Sequence, residues 1–158
     1  MGTENQKLIT LVNKIHDIAQ SRITAGYEDR EYISEDQVES CHRALADLGG
    51  SDFAVNYLLF LRNINGFDLN GVRLFGYFND KNDERDLRKQ LSDLQEVPQL
   101  FPQAFKNWVM IGETDIDILV FNKKTGMYEN RDRIGLDRLN ESHKDIANLL
   151  TSLMPLIE

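Results

Sequence analysis

Three carboxylates lie within five residues at Glu113, Asp115 and Asp117, which is the arrangement in this chain most suggestive of a reactive site. If one strand ran through all three, side-chain alternation would place them on one face, close enough to bind a divalent cation or to act as an acid–base pair. A solvated turn between two strands explains the same residues, and the glycine and distal glutamate of an EF-hand loop are missing. We therefore favour the turn, and expect no metal ion and no catalytic residue.

A second acidic group, Asp80, Asp83, Glu84 and Asp86, surrounds the start of a segment with the leucine spacing of a short helix. The helix macrodipole stabilises carboxylates at such a position, which is a sufficient local explanation for them. The alternative is that both acidic groups contact a positively charged partner, because rim charges accelerate association. The candidates for partner binding are therefore Asp80, Asp83, Glu84, Glu113, Asp115 and Asp117.

The other residues that could do chemistry are not spaced for it. The three histidines fall in separate predicted helices, and no pair has the spacing of zinc ligands. Cys41 lies on an apolar helical stripe, which predicts a buried thiol. The glycines at 66, 71 and 76 lack the lysine and hydroxyl residues of a P-loop, so we expect turns and no cofactor. We expect Trp108 and Tyr77 in the core, although aromatic residues also anchor interfaces.

The chain has 158 residues, of which 41% are hydrophobic, and a net charge of -8. This predicts one acidic domain over residues 1–158. One cysteine, no apolar run long enough to span a bilayer and a polar N-terminus favour a cytoplasmic protein. Residues 1–40 carry -4 and residues 81–120 carry -3, and no comparable segment is net basic. Nucleic acid and anionic membranes are therefore disfavoured as partners, whereas a basic protein is favoured.

Apolar residues at a spacing of three and four predict five helices. The first helix has about five turns around Leu8–Ala19, and the second covers 35–48 with a Ser34/Gln37 capping box. The third runs from Ser51 or Asp52 to Asn65-Gly66, and the fourth lies around Leu87–Leu94, before the helix breakers Pro98 and Pro102. The fifth covers Ile146–Ile157, with Asn140 or Ser142 as its cap. The third helix is apolar over so wide an arc that we expect it to be largely buried.

Strands are predicted between these helices, over 72–78, 108–112, 116–121 and 127–129. The five residues Asn122–Gly126 are typical of a hairpin between the last two strands. Because strands are grouped and helices are segregated before and after them, we predict an α+β fold with a central antiparallel sheet.

Several short motifs occur in an order that resembles a known family. They are Tyr57–Leu61, Asn65-Gly66, Asn70-Gly71, Leu74–Gly76, Trp108–Gly112, Ile118–Asn122 and Lys124–Gly126 before Tyr128. Together they are similar to the SUKH superfamily, most closely to its YrhA-like branch, over roughly residues 50–157. Residues 1–33 lie outside the resemblance and form an N-terminal helical extension in this interpretation.

The resemblance implies an α+β fold and a group rich in cytoplasmic bacterial immunity proteins, which neutralise polymorphic or contact-dependent toxins, often nucleases. We therefore expect a non-enzymatic immunity protein that binds a cognate toxin and occludes its active site. The net negative charge would favour a basic toxin. The second hypothesis is an adaptor or regulatory protein that docks on a cellular complex. The third is a hydrolase that uses the carboxylates of residues 113–117. A toxin gene immediately upstream would separate the first two.

Overall fold

The computed structural model describes residues 2–22, 32–96 and 106–158. Within these ranges the chain forms five α-helices and six β-strands, and the expected α+β fold class is confirmed. The helices are α1 (Gly2–Arg22), α2 (Val38–Gly49), α3 (Ser51–Leu61), α4 (Leu87–Glu96) and α5 (Ile146–Ile157). The strands are β1 (Phe67–Leu69), β2 (Val72–Leu74), β3 (Trp108–Glu113), β4 (Asp117–Asn122), β5 (Met127–Asp132) and β6 (Leu139–His143).

The strands form one sheet whose spatial order is the chain order, and every neighbouring pair is antiparallel. Such a meander places alternate connections at opposite ends of the sheet. The β1–β2, β3–β4 and β5–β6 connections therefore share one end, and the β2–β3 and β4–β5 connections leave from the other. This division decides which of the predicted site residues can act together.

The central strands β3 and β4 are buried on both faces of the sheet. One face joins the main core, which α1, α2, α3 and α5 also line, through Val109, Ile111, Leu119 and Phe121. The other face carries a smaller cluster, formed by Trp108, Ile118 and Val120 with Leu94 of α4. The expectation that Trp108 fills the core of the sheet is confirmed, because its side chain is buried.

Helix α1 closes the main core. Leu8, Val12 and Ile15 are buried in that core, and Lys7 Nζ donates a hydrogen bond of 2.7 Å to Asn148 Oδ1 of α5. The helix has 21 residues, or about six turns, and is longer than the five turns predicted. Up to residue 22, the predicted extension is therefore part of the same hydrophobic core.

Helix α3 differs from its prediction at both ends and on one face. Gly50 is the N-cap residue, with a φ of 96° that favours glycine, so neither predicted cap, Ser51 nor Asp52, occupies that position. The helix ends at Leu61, before the predicted Asn65-Gly66. Val55 and Leu59 are 59% and 36% exposed, so the expectation of a largely buried helix is wrong on this face.

The start of α5 also corrects the prediction. Asp145 caps the helix, because its Oδ1 accepts a hydrogen bond of 2.7 Å from the backbone N–H of Asn148. The predicted caps Asn140 and Ser142 lie instead in β6, a strand that the sequence did not indicate. The edge position of β6 explains this, since its side chains are mostly exposed and polar.

The predicted strand over 72–78 ends at Leu74, and its first half forms a hairpin with β1 across Asn70-Gly71. Gly76 instead makes an isolated parallel bridge with Asp86. The Ser34/Gln37 capping box is confirmed, with Gln37 Oε1 accepting from the Ser34 backbone N–H at 3.2 Å. The predicted helix breakers Pro98 and Pro102 lie outside the described residues.

Candidate protein-binding surface

The carboxylates of residues 113–117 bracket the turn between β3 and β4. Glu113 is the last residue of β3 and Asp117 is the first of β4. Thr114 closes the turn, because its N–H donates to Asp117 O at 2.9 Å and its Oγ1 accepts from the Asp117 N–H at 3.0 Å. The expected turn is confirmed, and the alternative of one continuous strand through all three carboxylates is not observed.

Each of these carboxylates has different neighbours. Glu113 forms an ion pair of 3.5 Å with Arg133, and the Asp115 carboxylate lies beside the turn at Gly71, where a Cβ would be 3.0 Å from its Oδ2. Asp117 is 9% exposed and accepts a hydrogen bond of 2.7 Å from Asn140 Nδ2. Direct contact with a partner is therefore open to Glu113 and Asp115, whereas Asp117 stabilises the turn.

A cleft of about 340 Å³ lies at this end of the sheet, between the β1–β2 and β3–β4 turns. Its charged lining residues are Asp68, Arg73, Glu113, Asp115 and Arg133. Asp68 accepts from Arg73 Nη2 at 2.9 Å, so two of the three carboxylates are paired with arginines. In the described ranges, no group of three or more histidine, cysteine, aspartate or glutamate side chains is placed to hold a metal ion. Among the described residues, the geometry therefore gives no support to a metal site at these carboxylates.

Three large aliphatic side chains are exposed beside the cleft. Ile116 in the β3–β4 turn is 71% exposed, Ile134 in the β5–β6 loop is 97% exposed, and Leu139 at the start of β6 is 46% exposed. We call these three residues, together with Glu113 and Asp115, the corner surface. Clustered exposed apolar side chains are informative, because such patches often mark interaction sites.

Hydrogen bonds hold the parts of the corner surface together. The Arg133 backbone N–H donates to Ile116 O at 3.0 Å, and its Nη2 donates to Thr114 O at 2.7 Å. The bond between Asn140 and Asp117 ties the start of β6 to the same turn. The three aliphatic residues therefore lie at one corner of the sheet, although up to 23 positions separate them in sequence.

The loop that carries Ile134 is internally hydrogen-bonded. Asp132 Oδ1 accepts from the backbone N–H groups of Ile134 and Gly135, both at 2.8 Å. Both bonds lower the pKa of Asp132 below its ordinary value, and the bond from Gly135 has the larger effect. The Arg138 N–H also donates to Gly135 O at 2.8 Å. The fixed loop presents Ile134 to solvent without the ordering cost that a flexible loop would add to binding.

The sequence interpretation missed the aliphatic part of this surface. Ile116 falls in the strand predicted over 116–121, because it precedes an apolar run, but β4 begins one residue later. Ile134 and Leu139 belong to a segment with many charged residues and were not singled out. The available signal was an isolated aliphatic residue between charged neighbours, as in Asp115-Ile116-Asp117.

The second acidic group lies in the β2–β3 connection, which leaves from the opposite end of the sheet. Asp80 Oδ1 accepts from the backbone N–H of Asn82 at 2.9 Å, and Asp83 forms an ion pair of 2.8 Å with Arg85. Hydrogen bonds from the Arg85 side chain and backbone lower the pKa of Asp83 to about 2. Glu84 is exposed. The two acidic groups therefore cannot form one continuous surface at the corner.

Asp86 organises this connection, a role that the sequence did not reveal. Its carboxylate is fully buried and accepts from the backbone N–H groups of Phe78 and Arg88, both at 2.8 Å. Arg88 Nη2 pairs with the same carboxylate at 2.8 Å, and its guanidinium lies 4.3 Å from the centroid of the half-buried Tyr77 ring. This bonding raises the pKa of Arg88. The ion pair fixes the start of α4 and the end of the acidic loop.

One serine–histidine–glutamate group invites comparison with a catalytic triad. His143 Nε2 lies 3.4 Å from Ser152 Oγ and 3.2 Å from Glu141 Oε2. A triad needs the serine and the carboxylate on different ring nitrogens, but here both approach Nε2. Ser152 Oγ also donates to Leu149 O at 2.6 Å. The arrangement lacks the geometry of an activated nucleophile.

Cys41 is likewise unsuited to nucleophilic chemistry. Its side chain is buried in the main core, as predicted. Burial raises the pKa of the thiol to about 12, so the reactive thiolate is scarce at neutral pH.

Comparisons of the chain with family models, curated proteins and solved structures found no match. The SUKH resemblance therefore stays a prediction from the sequence motifs. Among the helices of the described ranges, none combines the length and the apolar character needed to cross a membrane.

Proposed function

We propose that this chain is a cytoplasmic bacterial immunity protein, which binds a cognate toxin domain through the corner surface. The observation that supports this most strongly is the rigid display of Ile116 and Ile134 next to the carboxylates of Glu113 and Asp115. The aliphatic side chains supply surface that gains free energy when buried. The carboxylates and the net charge of -8 favour a basic partner.

The mechanism would be direct occlusion of the toxin. The immunity protein covers the active site of the toxin, and its carboxylates occupy positions that would otherwise receive the negative charges of a nucleic acid substrate. Binding of this kind needs no reaction on the immunity protein itself, so the proposal involves no cofactor and no metal ion.

A rival patch on α3 must be tested against the corner surface. Val55 and Leu59 are exposed on one face of the helix. Tyr32 is also exposed and lies near the end of the helix, because the N–H of the next residue, Ile33, donates to Leu61 O at 2.9 Å. We favour the corner surface because its two isoleucines are more exposed and stand beside unburied carboxylates.

The first test of function is whether a toxin domain is encoded immediately upstream, and the second is co-expression with that domain. We expect the wild-type protein to protect growing cells and to co-purify with that domain. The change of Glu113→Gln with Asp115→Asn should slow association and flatten its dependence on salt. The matched control, Asp80→Asn with Glu84→Gln, removes the same charge from the opposite end of the sheet and should leave the association rate nearly unchanged.

The outcomes separate the alternatives. Absence of both protection and binding by the wild-type protein would refute the immunity function. Binding without any effect on toxicity would favour the adaptor hypothesis. Protection that is sensitive to the control pair but not to the corner pair would retain the function and reject the corner surface.

A further inference from the structure

A groove of about 400 Å³ opens between α2, α4 and β3, and it lies at the opposite end of the sheet from the corner surface. Its walls are mainly apolar and include Leu48, Leu91, Leu94, Trp108 and Met110. Four of these side chains are only partly buried, so the groove retains accessible apolar surface. Its volume falls within the range of roughly 300–1,000 Å³ that is common for small-ligand sites.

Two lysines give the groove a local positive charge. Lys106 and Lys123 both line it, whereas Asp47 is the only carboxylate among the described lining residues. The Lys123 N–H donates to Asn107 O at 2.7 Å, which places Lys123 across from the residue next to Lys106. An anion in the groove would be attracted by both ammonium groups. This positive site is unusual in a chain with a net charge of -8.

Apolar walls beside two lysines match one class of molecule. We infer that this groove binds an amphipathic anion, with an aliphatic chain along Leu91, Leu94 and Met110 and a single anionic group at Lys106 and Lys123. A medium-chain carboxylate has this chemistry. The inference is independent of the proposed toxin binding, because the two sites share no residue.

Trp108 makes the inference directly measurable. It is the only tryptophan in the chain and lines the groove, so its fluorescence reports on groove occupancy. The guanidinium of Arg131 lies over the Trp108 ring, 4.2 Å from the ring centroid. Arg131 is itself held by an ion pair of 2.8 Å with Glu129. The indole is therefore fixed, and a change in its emission reflects a new neighbour.

The experiment titrates the full chain with decanoate, below the concentration at which decanoate forms micelles, and with decyltrimethylammonium as the cationic counterpart. We expect a saturable change in Trp108 emission with decanoate, and at least tenfold weaker binding of the cation. Lys106→Ala with Lys123→Ala should raise the Kd for decanoate by roughly three- to tenfold, the effect of losing two exposed charge interactions. Lys81→Ala with Lys144→Ala, which removes the same charge from exposed residues that do not line the groove, should leave the Kd unchanged.

A second variant tests the apolar wall. Leu94→Glu places a carboxylate in the groove and should abolish decanoate binding, while urea denaturation checks that the variant remains folded. Chemical shift changes on decanoate binding should include the methyl groups of Leu91 and Met110. The inference is overturned if the folded wild-type protein gives no saturable response, if both probes bind equally, or if the control lysine pair matters as much as the groove pair.

Discussion

The buried ion pair between Asp86 and Arg88 should contribute more to stability than any exposed pair on the protein. The Asp86 carboxylate accepts four hydrogen bonds, from the backbone N–H groups of Phe78 and Arg88 and from Arg88 Nε and Nη2. Asp86→Ala would leave the Phe78 N–H and the guanidinium without this acceptor. Breaking a buried pair in this way costs about 3–5 kcal/mol.

Partial hydration lowers the expected value within that range. The Arg88 side chain is 27% exposed, so water can solvate part of its charge once the carboxylate is gone. We therefore expect a loss of about 3 kcal/mol in the free energy of unfolding. With urea m-values of about 1–3 kcal/mol/M, this shifts the urea midpoint down by roughly 1–3 M. Asp86→Asn should fall between wild type and alanine, because an amide oxygen can still accept from a backbone N–H.

Asp93→Ala provides the matched control. Asp93 is ion-paired with Lys89 at 2.8 Å on the same helix, but its side chain is 42% exposed. Because solvent screens such a pair, the urea midpoint should move far less than in Asp86→Ala. Equal shifts in the two variants, or a shift in Asp86→Ala below a few tenths of a molar, would refute the reasoning that burial makes the Asp86 pair important.

Three further predictions follow from single residues. Gly76→Ala should destabilise the protein by about 2 kcal/mol in urea denaturation, since its Cβ would clash with Asn65 Oδ1. Gly135→Ala, with no neighbour closer than 3.8 Å, should be nearly neutral in the same measurement. Asp83 has a pKa of about 2 in the folded protein, against an ordinary value of 3.8, so its contribution to stability is present above pH 4 and is lost as the pH falls towards 2. Arg85→Ala should raise the pKa of Asp83 towards 3.8, as measured by carboxyl NMR titration. An unchanged pKa would contradict the role of Arg85. Cys41 should resist thiol reagents in the native protein at pH 8 and react once urea unfolds the chain, so rapid native labelling would show that it is not buried.

The fold class was predictable because long apolar patterns dominate its strongest elements. Helix α5 and strand β4 are rich in apolar residues with the expected spacing, and their predicted positions agree closely with the structure. Strand β6 was not predictable by this route. Its residues Leu139–His143 form a mostly exposed edge, so burial imposes no clear apolar pattern on them.

The candidate site was predictable only in its charged part. Glu113 and Asp115 stand out in the sequence because carboxylates are close together there. The neighbouring isoleucines come from two different connections, and only antiparallel pairing through β4 and β5 brings Ile116 and Ile134 to the same end of the sheet. The hydrogen bond that Asp117 accepts comes from Asn140 of β6, a strand absent from the predicted elements.

The most direct test of the proposed function is the affinity for a toxin domain encoded immediately upstream. Calorimetry should compare the wild type with Ile116→Ala/Ile134→Ala and with the α3 control Val55→Ala/Leu59→Ala. If each isoleucine becomes buried in the complex, its truncation costs about 2 kcal/mol, or roughly thirtyfold in Kd. We predict a large loss of affinity for the corner variant and nearly wild-type affinity for the control. Unchanged affinity of the corner variant, or a larger loss in the control, would contradict the assignment of the binding surface.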